Sequence, residues 1–336
     1  MPSHVVIAVP DVSSVGAARR AASNISRDAG MNLKEQGQVA IIATELATNL
    51  ANYAQNGRLL MQSLKAGSSC GVEILSVDSG PGIKDIAQCM RDGYSTAGTA
   101  GNGLGAIRRL SSEFDIYSDA AGTVIVSRIV GKSDVSTPCE FQWGAISVAV
   151  KGEEVCGDAW RVYAQDGQLG IMVADGLGHG PLAAEAAAQA IQVFDDGSLR
   201  EPMALIEGAH QALLRSRGAA VAVARVHQEQ SLLKYSGVGN ISGTLLDGAA
   251  SRGLVSHNGT AGHLVPRVQQ FNYACGERDV LVMHSDGLTS RWTLEQYPGL
   301  QAHHPSVIAG VLYRDFTRGR DDVTVVVVKR IQKRAS

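Results

Sequence analysis

Aspartates stand at the ends of several apolar runs in the second half of the 336-residue sequence. They are Asp158 in "VCGDAWRVY", Asp175 in "VADGLGHG", Asp286 in "MHSDGLTSRW", and Asp321 with Asp322 in "GRDDVTVVVV". Each alone is typical of a turn, but short apolar runs indicate strands, and acids at strand ends can converge. Converging carboxylates repel one another unless cations lie between them. An all-oxygen set suits Mg²⁺ or Mn²⁺, and two such ions support hydrolysis of a phosphate ester.

The first half contains two polar groupings that fit a nucleotide site. Glu45 and Asn49 in "ATELATNLANYA" are one helical turn apart, so they share a helix face. The acid could polarise a hydroxyl and the amide could hold Mg²⁺, although such a pair is also common on a solvated face. Asp78 in "SVDSGPGI" ends an apolar strand just before Gly80 and Gly82. A buried carboxylate there can accept a hydrogen bond from an exocyclic amine, or it can simply begin a turn.

A glycine-rich stretch, "GYSTAGTAGNGLGAIRRL", follows with Gly98, Gly101, Gly103 and Gly105 before a predicted helix. The backbone N–H groups of such a loop and the positive end of a helix suit phosphates. The stretch has neither the G-x-G-x-x-G spacing nor the Lys-Ser/Thr of a P-loop. Dinucleotide-binding and P-loop sites are therefore disfavoured.

The elements that must position these residues divide the chain into two α/β domains, predicted at residues 1–134 and 135–336. Helices, strands and a closing strand, "GTVIVSRIV", alternate in the first half. The polar stretch "GKSDVSTPCE" predicts a short linker near residue 135. The second half consists mainly of strands with helices near 181–194 and 202–216, which indicates a β-sandwich or layered sheet with helices outside.

Composition excludes several classes of function. The net charge is −2 and no basic stripe indicates nucleic-acid binding. Five scattered cysteines without a C-x-x-C pair predict reduced thiols rather than disulfides or a zinc site. Because there is neither a signal peptide nor a long apolar run, we expect a cytoplasmic protein that does not bind membranes.

The order of features in residues 5–130 resembles the N, G1 and G2 boxes of the GHKL ATPases. "GYSTAGTAGNGLGAIRRLSSEFDIYS" in particular is similar to the RsbT-type switch-protein serine kinases. This resemblance implies a GHKL (Bergerat) ATP-binding α/β sandwich that uses ATP with Mg²⁺. It also implies the following roles: Glu45 as general base, Asn49 as Mg²⁺ ligand, Asp78 as adenine reader, Gly80 and Gly82 in the adenine pocket, Gly101, Gly103 and Gly105 in the phosphate lid, and Thr123 near the adenine.

The order G-D-x-W, D-G-x-G-H-G, S-D-G and D-D-x-T over residues 140–330 resembles the PPM-type serine/threonine phosphatases, above all their SpoIIE/RsbX-like branch. The resemblance implies a β-sandwich flanked by helices and two Mn²⁺ or Mg²⁺ ions. The implied metal ligands are Asp158, Asp175, Asp286, Asp321 and the carbonyl of Gly176, and Asp175 and Asp286 count as catalytic. Asp322 and His179 remain ambiguous, since His179 could be an acid near the leaving group or could only shape its loop. No phosphate-binding arginine is evident near the start of this half.

We therefore predict an enzyme that joins two opposing activities. The phosphatase would act on a phosphorylated STAS-domain switch protein, and the ATP-binding domain would be the opposing serine kinase. The alternatives are a phosphatase whose first domain only senses nucleotide, and a first domain that captures a partner as anti-sigma proteins do. The family analogy also leaves a homodimer open.

Overall fold

The computed structural model describes residues 3–66, 69–90, 103–131, 139–248 and 250–331. The predicted linker and the predicted boundary between residues 134 and 135 lie outside the described residues, as do Gly98 and Gly101. Within the described ranges, no helix has both the length and the apolar character needed to cross a bilayer.

The first half alternates helices and strands, as predicted. Its elements are β1 (Val5–Ala8), α1 (Val15–Asp28), α2 (Leu33–Tyr53), β2 (Arg58–Ala66), β3 (Ser69–Val77), α3 (Ile86–Cys89), α4 (Gly103–Leu110), β4 (Glu113–Asp119) and β5 (Gly122–Val130). The long helix α2 begins where it does because Asn32 and Glu35 form a reciprocal capping box.

The second half is rich in strands. Its elements are β6 (Phe141–Val148), β7 (Asp158–Gln165), β8 (Gln168–Gly176), α5 (Pro181–Asp195), α6 (Pro202–Ala212), β9 (Ala219–His227), β10 (Leu232–Val238), β11 (Ser242–Asp247), β12 (Ala250–Leu254), β13 (Phe271–Ala274), β14 (Val280–His284), α7 (Pro305–Phe316) and β15 (Val323–Arg330). The two predicted helices are α5 and α6, although α6 ends at Ala212 rather than near residue 216.

The chain forms two compact units that do not follow one single division of the sequence. The first unit contains the described residues up to Gly131 together with Ala302–Arg314, and the second contains the remainder of the described second half. The predicted second domain, residues 135–336, includes residues 302–314, whereas the structure groups them with the first half of the chain. The physical reason for the difference is α7, which packs on the sheet of the first unit.

The sheet of the first unit has the strand order β1-β2-β3-β5-β4, and all neighbours are antiparallel. Helices α1, α2 and α4 cover one face, where side chains such as Ile42, Leu46 and Ile74 form the core. Helix α7 covers the other face, because a side chain at Gly310 would contact Val124 and Leu75. This arrangement is the α/β sandwich predicted for the first half.

The second unit is a β-sandwich of two five-stranded antiparallel sheets, ordered β13-β10-β9-β8-β7 and β12-β11-β14-β15-β6. The core between them contains Leu169, Tyr235 and Met283 together with side chains of the remaining strands. Helices α5 and α6 pack on the outer face of the first of these sheets, where Ala187 and Phe194 are fully buried. The predicted sandwich flanked by helices is therefore confirmed.

Candidate functional site

Two of the predicted acids face each other across the hairpin of β7 and β8. The register places Asp158 directly opposite Asp175, so the two side chains lie on the same face of the sheet. Asp158 is buried, and its Oδ2 accepts a hydrogen bond of 2.6 Å from the Ser285 hydroxyl. Its Oδ1 is also buried and has no hydrogen-bond partner among the described residues. An unpaired buried carboxylate oxygen is costly and calls for a ligand.

The other acids come to this edge from the opposite sheet. Asp286 lies two residues after β14 and Asp321 lies two residues before β15, and these strands are antiparallel neighbours. Ser285 joins the two sheets, because its hydroxyl donates to Asp158 and accepts from the Thr324 N–H at 2.9 Å. The end of β14 and the beginning of β15 are thereby held beside the Asp158–Asp175 pair.

Electrostatics confirms that these acids share one neighbourhood. Burial, followed by the negative charges of Asp158, Asp286 and Asp321, raises the pKa of Asp175 to about 9. Burial and the charge of Asp322 raise the pKa of Asp158 to about 7, against the lowering effect of its hydrogen bonds. The charges that act on both groups are those of other carboxylates.

The donor set fits hard divalent cations. All its side-chain donors are carboxylate oxygens, which Mg²⁺ and Mn²⁺ prefer, and Asp158 Oδ1 is a donor with no other use. In the parts of the chain that the structure describes, no three His, Cys, Asp or Glu side chains already converge closely enough to hold an ion. The acids are therefore neighbours rather than a closed coordination shell.

Asp322 has a different environment from Asp321. Its two carboxylate oxygens accept backbone hydrogen bonds, from Val150 at 2.7 Å and from Gly157 at 2.8 Å. These bonds fix the loop that leads into Asp158. The geometry thus gives Asp322 a structural use, whereas Asp321 receives only the N–H of its neighbour among the recorded bonds.

The loop after Asp175 is shaped by glycines. A side chain at Gly176 would collide with the backbone of Ala183 in α5, so only glycine allows this close approach. His179 lies further along the loop and is exposed, with its Nδ1 2.6 Å from Glu153 Oε1. The contact anchors the loop to the segment that Asp322 also holds. The metal role of the Gly176 carbonyl and the acid role of His179 stay predictions.

In the first unit, Glu45 and Asn49 meet the beginning of α4. A Cβ placed on Gly103 would lie 3.5 Å from Glu45 Oε2 and 3.6 Å from the Asn49 amide. The glycine therefore lets the helix terminus approach both polar side chains. Gly105, two residues further along α4, is buried. Gly101 lies outside the described residues.

The predicted adenine-site residues also come together. Asp78 is buried, and its Oδ1 accepts hydrogen bonds from the backbone N–H of Gly80 at 2.8 Å and of Thr123 at 3.3 Å. Burial raises the pKa of Asp78, and these hydrogen bonds oppose the change. Gly82 has a φ of +73° and packs against the Asp119 carbonyl, where a side chain would not fit. Their contact with a base stays a prediction.

Family comparisons agree with this geometry. The model for histidine kinase-like ATPase domains matches residues 8–129, and that for stage II sporulation protein E (SpoIIE) matches residues 165–331. The serine/threonine-protein kinase RsbT of Bacillus subtilis (strain 168) is 36% identical over 110 residues, which are 32% of this chain and 83% of RsbT. The chain belongs to the histidine kinase-like ATPase family in its first half and to the SpoIIE family in its second.

Two further similarities are to a phosphatase of known sequence and to a solved structure. The phosphoserine phosphatase RsbX of the same organism is 34% identical over 91 residues, which are 27% of this chain and about half (46%) of RsbX. A solved structure described as "The bacterial stressosome: a modular system that has been adapted to control secondary messenger signaling" contains a chain that is 28% identical. It has a TM-score of 0.52 and covers 56% of this chain and 99% of its own length.

These matches confirm the predicted fusion and the predicted class of enzyme, a serine/threonine phosphatase of the SpoIIE type joined to an RsbT-like domain. The two families imply ATP for the first half and divalent metal ions for the second. The individual site residues were predicted from motifs, and their roles remain proposals.

Two polar residues of the SpoIIE-type site were missed from the sequence. Asn240 donates a hydrogen bond of 2.8 Å to Asp286 Oδ2, and Ser285 joins Asp158 to the strand pair β14–β15. A signal for each was present, because Ser285 directly precedes Asp286 and Asn240 ends the "GVGN" stretch after a strand. Their partners are far apart in sequence, so the bonds themselves could not be read from it.

Proposed function

We propose that this chain is a bifunctional regulator of a bacterial partner-switching pathway and acts in the cytoplasm. Its second half removes phosphate from serine or threonine in a STAS-domain switch protein, and its first half returns the phosphate from ATP. The observation that carries the proposal is the Asp158–Asp175 pair, whose raised pKa values come from burial and other carboxylates. Such an arrangement is typical of a cation-dependent site.

In the phosphatase half, Asp158, Asp175, Asp286 and Asp321 would hold two Mn²⁺ or Mg²⁺ ions, with the Gly176 carbonyl as an additional ligand. Bound ions of this kind supply charge neutralisation at the phosphoryl oxygens and make the attacking water more acidic. Asp322 fixes the loop before Asp158 through Val150 and Gly157. Ser285 and Asn240 orient Asp158 and Asp286.

In the proposed kinase half, Glu45 would take the proton from the hydroxyl of the partner's serine or threonine. Asn49, one turn later, would hold the Mg²⁺ of ATP, and Gly101, Gly103 and Gly105 would contact the phosphates with their backbone. ATP supplies the phosphoryl group. Asp78, Gly80, Gly82 and Thr123 would receive the adenine. The close approach of the α4 backbone at Gly103 to both Glu45 and Asn49 supports this assignment.

The similarities support the pairing of activities. RsbT is a serine/threonine kinase and RsbX is a phosphoserine phosphatase, so the two halves resemble enzymes that act in opposite directions. The STAS-domain partner is proposed from the same family analogy. A homodimer is compatible with it.

The test incubates the protein with STAS-domain proteins from the same genome and measures by intact-mass spectrometry whether they gain or lose a phosphoryl group. The protein with Mg²⁺ or Mn²⁺ should lower the mass of the phosphorylated partner by about 80 Da, the mass of one phosphoryl group. For the reverse reaction, the background should be Asp175→Asn, because an active phosphatase would erase the product. In that background ATP should add the same mass, and Glu45→Ala should slow the addition by about 10²–10⁴-fold while nucleotide binding persists.

Asn49→Ala should in addition weaken Mg²⁺-dependent nucleotide binding, because it removes the proposed ligand. If the Asp175→Asn protein transfers no phosphate to any STAS partner with Glu45 intact, the kinase assignment fails for those partners. A nucleotide-sensing first half would then explain the geometry around Glu45, Asn49 and Asp78 better than a kinase would. If the wild type removes no phosphate with either metal, the phosphatase assignment fails.

A further inference from the structure

An arginine lies against the loop that carries Asp175. Arg217 belongs to the segment between α6 and β9, and its Nη1 is 3.2 Å from the position of a Cβ on Gly178. Backbone bonds fix this approach, since the Leu177 N–H donates to the Gly218 carbonyl at 3.0 Å. His263 Nε2 lies 2.7 Å from the Arg217 carbonyl and holds the segment from the other side. The guanidinium thus lies against Gly178, which is three positions after the proposed metal ligand Asp175.

The charge of Arg217 is available to a ligand. The side chain is exposed, and none of the ion pairs between described residues involves it. A guanidinium has five N–H donors in a planar fork that matches the oxygens of a phosphoryl group. The acid cluster itself repels a phosphate dianion, so a cationic side chain at its margin serves substrate binding. The sequence offered no such arginine near the start of this half, and Arg217 comes from a different segment.

Exposed leucines lie on the same three segments. Leu177, Leu214 and Leu264 are 57%, 52% and 69% exposed. The backbone N–H of Leu177 donates a hydrogen bond to Gly218, the neighbour of Arg217. In the loop that contains His263, the Thr260 N–H donates to the Leu264 carbonyl. The Gly262 of that loop packs on Leu213, the neighbour of Leu214. Apolar side chains around a charged group are a feature of protein-binding surfaces.

We propose that Arg217 binds the phosphoryl group of a phosphoserine or phosphothreonine segment in another protein, and that Leu177, Leu214 and Leu264 contact apolar residues beside it. The charge of Arg217 is complementary to the phosphoryl group, and the leucines select a polypeptide over a small phosphate ester. This inference rests on the proposed phosphatase function. It assigns substrate binding to the side chains of Arg217, Leu177, Leu214 and Leu264.

The first experiment separates binding from turnover with p-nitrophenyl phosphate and a synthetic phosphoserine peptide, in Mn²⁺. Arg217→Ala should raise KM by about tenfold or more and lower kcat much less, because a charge-assisted contact to the phosphoryl group is lost. The inhibition constant of inorganic phosphate should rise by a similar factor. Arg217→Lys should keep part of the affinity, and Arg215→Ala, an exposed arginine of the same segment, should match the wild type.

The second experiment tests the leucines with two phosphoserine peptides, one flanked by leucines and one flanked by serines. Leu264→Ser should reduce the preference in kcat/KM for the leucine-flanked peptide by about threefold or more, because apolar contact area is lost. Leu33→Ser, which changes an exposed leucine of the first unit, is the matched control.

The outcomes distinguish this inference from the function on which it depends. If Arg217→Ala leaves both KM and the phosphate inhibition constant within about twofold of wild type, while Asp175→Asn abolishes hydrolysis, the phosphatase stands and the role of Arg217 is refuted. If the wild type prefers neither peptide, the apolar surface is refuted. If the wild type hydrolyses neither substrate with Mg²⁺ or Mn²⁺, both the function and the inference are wrong.

Discussion

Each of the two units shields a carboxylate from solvent, fully at Glu73 and partly at Asp175, and the two carboxylates have opposite surroundings. In the first unit, Glu73 on β3 is fully buried and accepts hydrogen bonds from Arg128 Nε at 2.7 Å, Ser306 Oγ at 2.6 Å and Gln62 Nε2 at 2.8 Å. Burial raises the pKa of Glu73, but the Arg128 charge and the hydrogen bonds outweigh it and lower the pKa. In the second unit, the charges acting on Asp175 are all negative, and its pKa rises to about 9.

The difference shows what each carboxylate is for. A buried acid whose charge is balanced by an arginine of the same chain holds elements together, here β3, β5 and α7. A partly buried acid whose charged neighbours are other acids, such as Asp175, is suited to a cation from solution. Burial alone therefore does not mark a functional acid, and the sign of the surrounding charge does.

The largest effect that the comparison predicts is on catalysis. Asp175→Asn or Asp286→Asn removes a charged ligand and keeps the shape of the side chain. Hydrolysis of a phosphoserine peptide should fall at least about 100-fold, because loss of one ion forfeits several kcal/mol of transition-state stabilisation. ATP binding by the first half, measured by calorimetry, should persist. Near-normal hydrolysis by both variants would refute the two-metal assignment.

Removing the arginine that pairs with Glu73 should instead reduce the stability of the first unit. Arg128→Met leaves Glu73 buried without the arginine that pairs with it, which should reduce the free energy of unfolding of the first unit by about 3–5 kcal/mol. Urea unfolding followed by far-UV circular dichroism measures this loss. All 3 tryptophans, Trp143, Trp160 and Trp292, lie in the second unit, so their fluorescence reports separately on that unit and should not change.

Two variants sharpen this result. Arg19→Met changes an exposed arginine of α1 and should have little effect on stability. Adding Glu73→Leu to Arg128→Met should recover part of the loss, because the uncompensated charge is removed. A loss that the second substitution does not reduce would mean that packing, rather than charge pairing, sets the stability of this face.

The sequence predicted the features that depend on local patterns. The apolar run before Asp175 is β8, and the run before Asp286 is β14, as expected for short apolar runs that are bounded by turn residues. Glu45 and Asn49 share a face of α2 for the equally local reason of helical spacing. These local patterns were enough to place the two aspartates after their strands and Glu45 and Asn49 on their helix.

The sequence did not reveal features that depend on distant partners. Helix α7 lies in the second half, yet Ser306 bonds Glu73, which is 233 residues away, and His304 lies 3.1 Å from Glu113. No local pattern encodes such a partner. Likewise, the neighbours Asp321 and Asp322 have the same residue type, and only the loop folded onto Asp322 shows that its oxygens bond backbone N–H groups.

The acid cluster also predicts how the stability of the second unit depends on pH when a chelator keeps metal ions away. Asp175 has a usual pKa of 3.8 and a folded pKa of about 9, so between these values the unfolded state is ionised and the folded state resists ionisation. The contribution of Asp175 to the stability of the second unit should therefore be most favourable below its usual pKa and should fall as pH rises toward 9. Tryptophan fluorescence during urea unfolding measures it.

Asp175→Asn is the matched control for this dependence. It should flatten the pH profile and raise the urea midpoint at about pH 8, because the costly ionisation is removed. Added Mg²⁺ or Mn²⁺ should stabilise the wild type more than this variant. A wild-type midpoint that rises steadily with pH in chelator would contradict the proposed repulsion.

The smallest effect is expected within the ionic network of the first unit, at Glu113. Its side chain is 45% exposed and lies 3.1 Å from Arg128, against full burial for Glu73. The hydrogen bond with His304 lowers the pKa of Glu113, so the stabilisation by Glu113 is present above its usual pKa of 4.5 and is lost as pH falls below it.

Because water screens a half-exposed pair, Glu113→Gln should cost only about 0.2–1 kcal/mol at neutral pH, and less in about 0.5 M salt. Glu73→Gln should cost several times more under the same conditions and respond less to salt, since solvent does not reach that pair. Equal losses from the two substitutions in urea unfolding would show that burial does not govern the strength of these pairs.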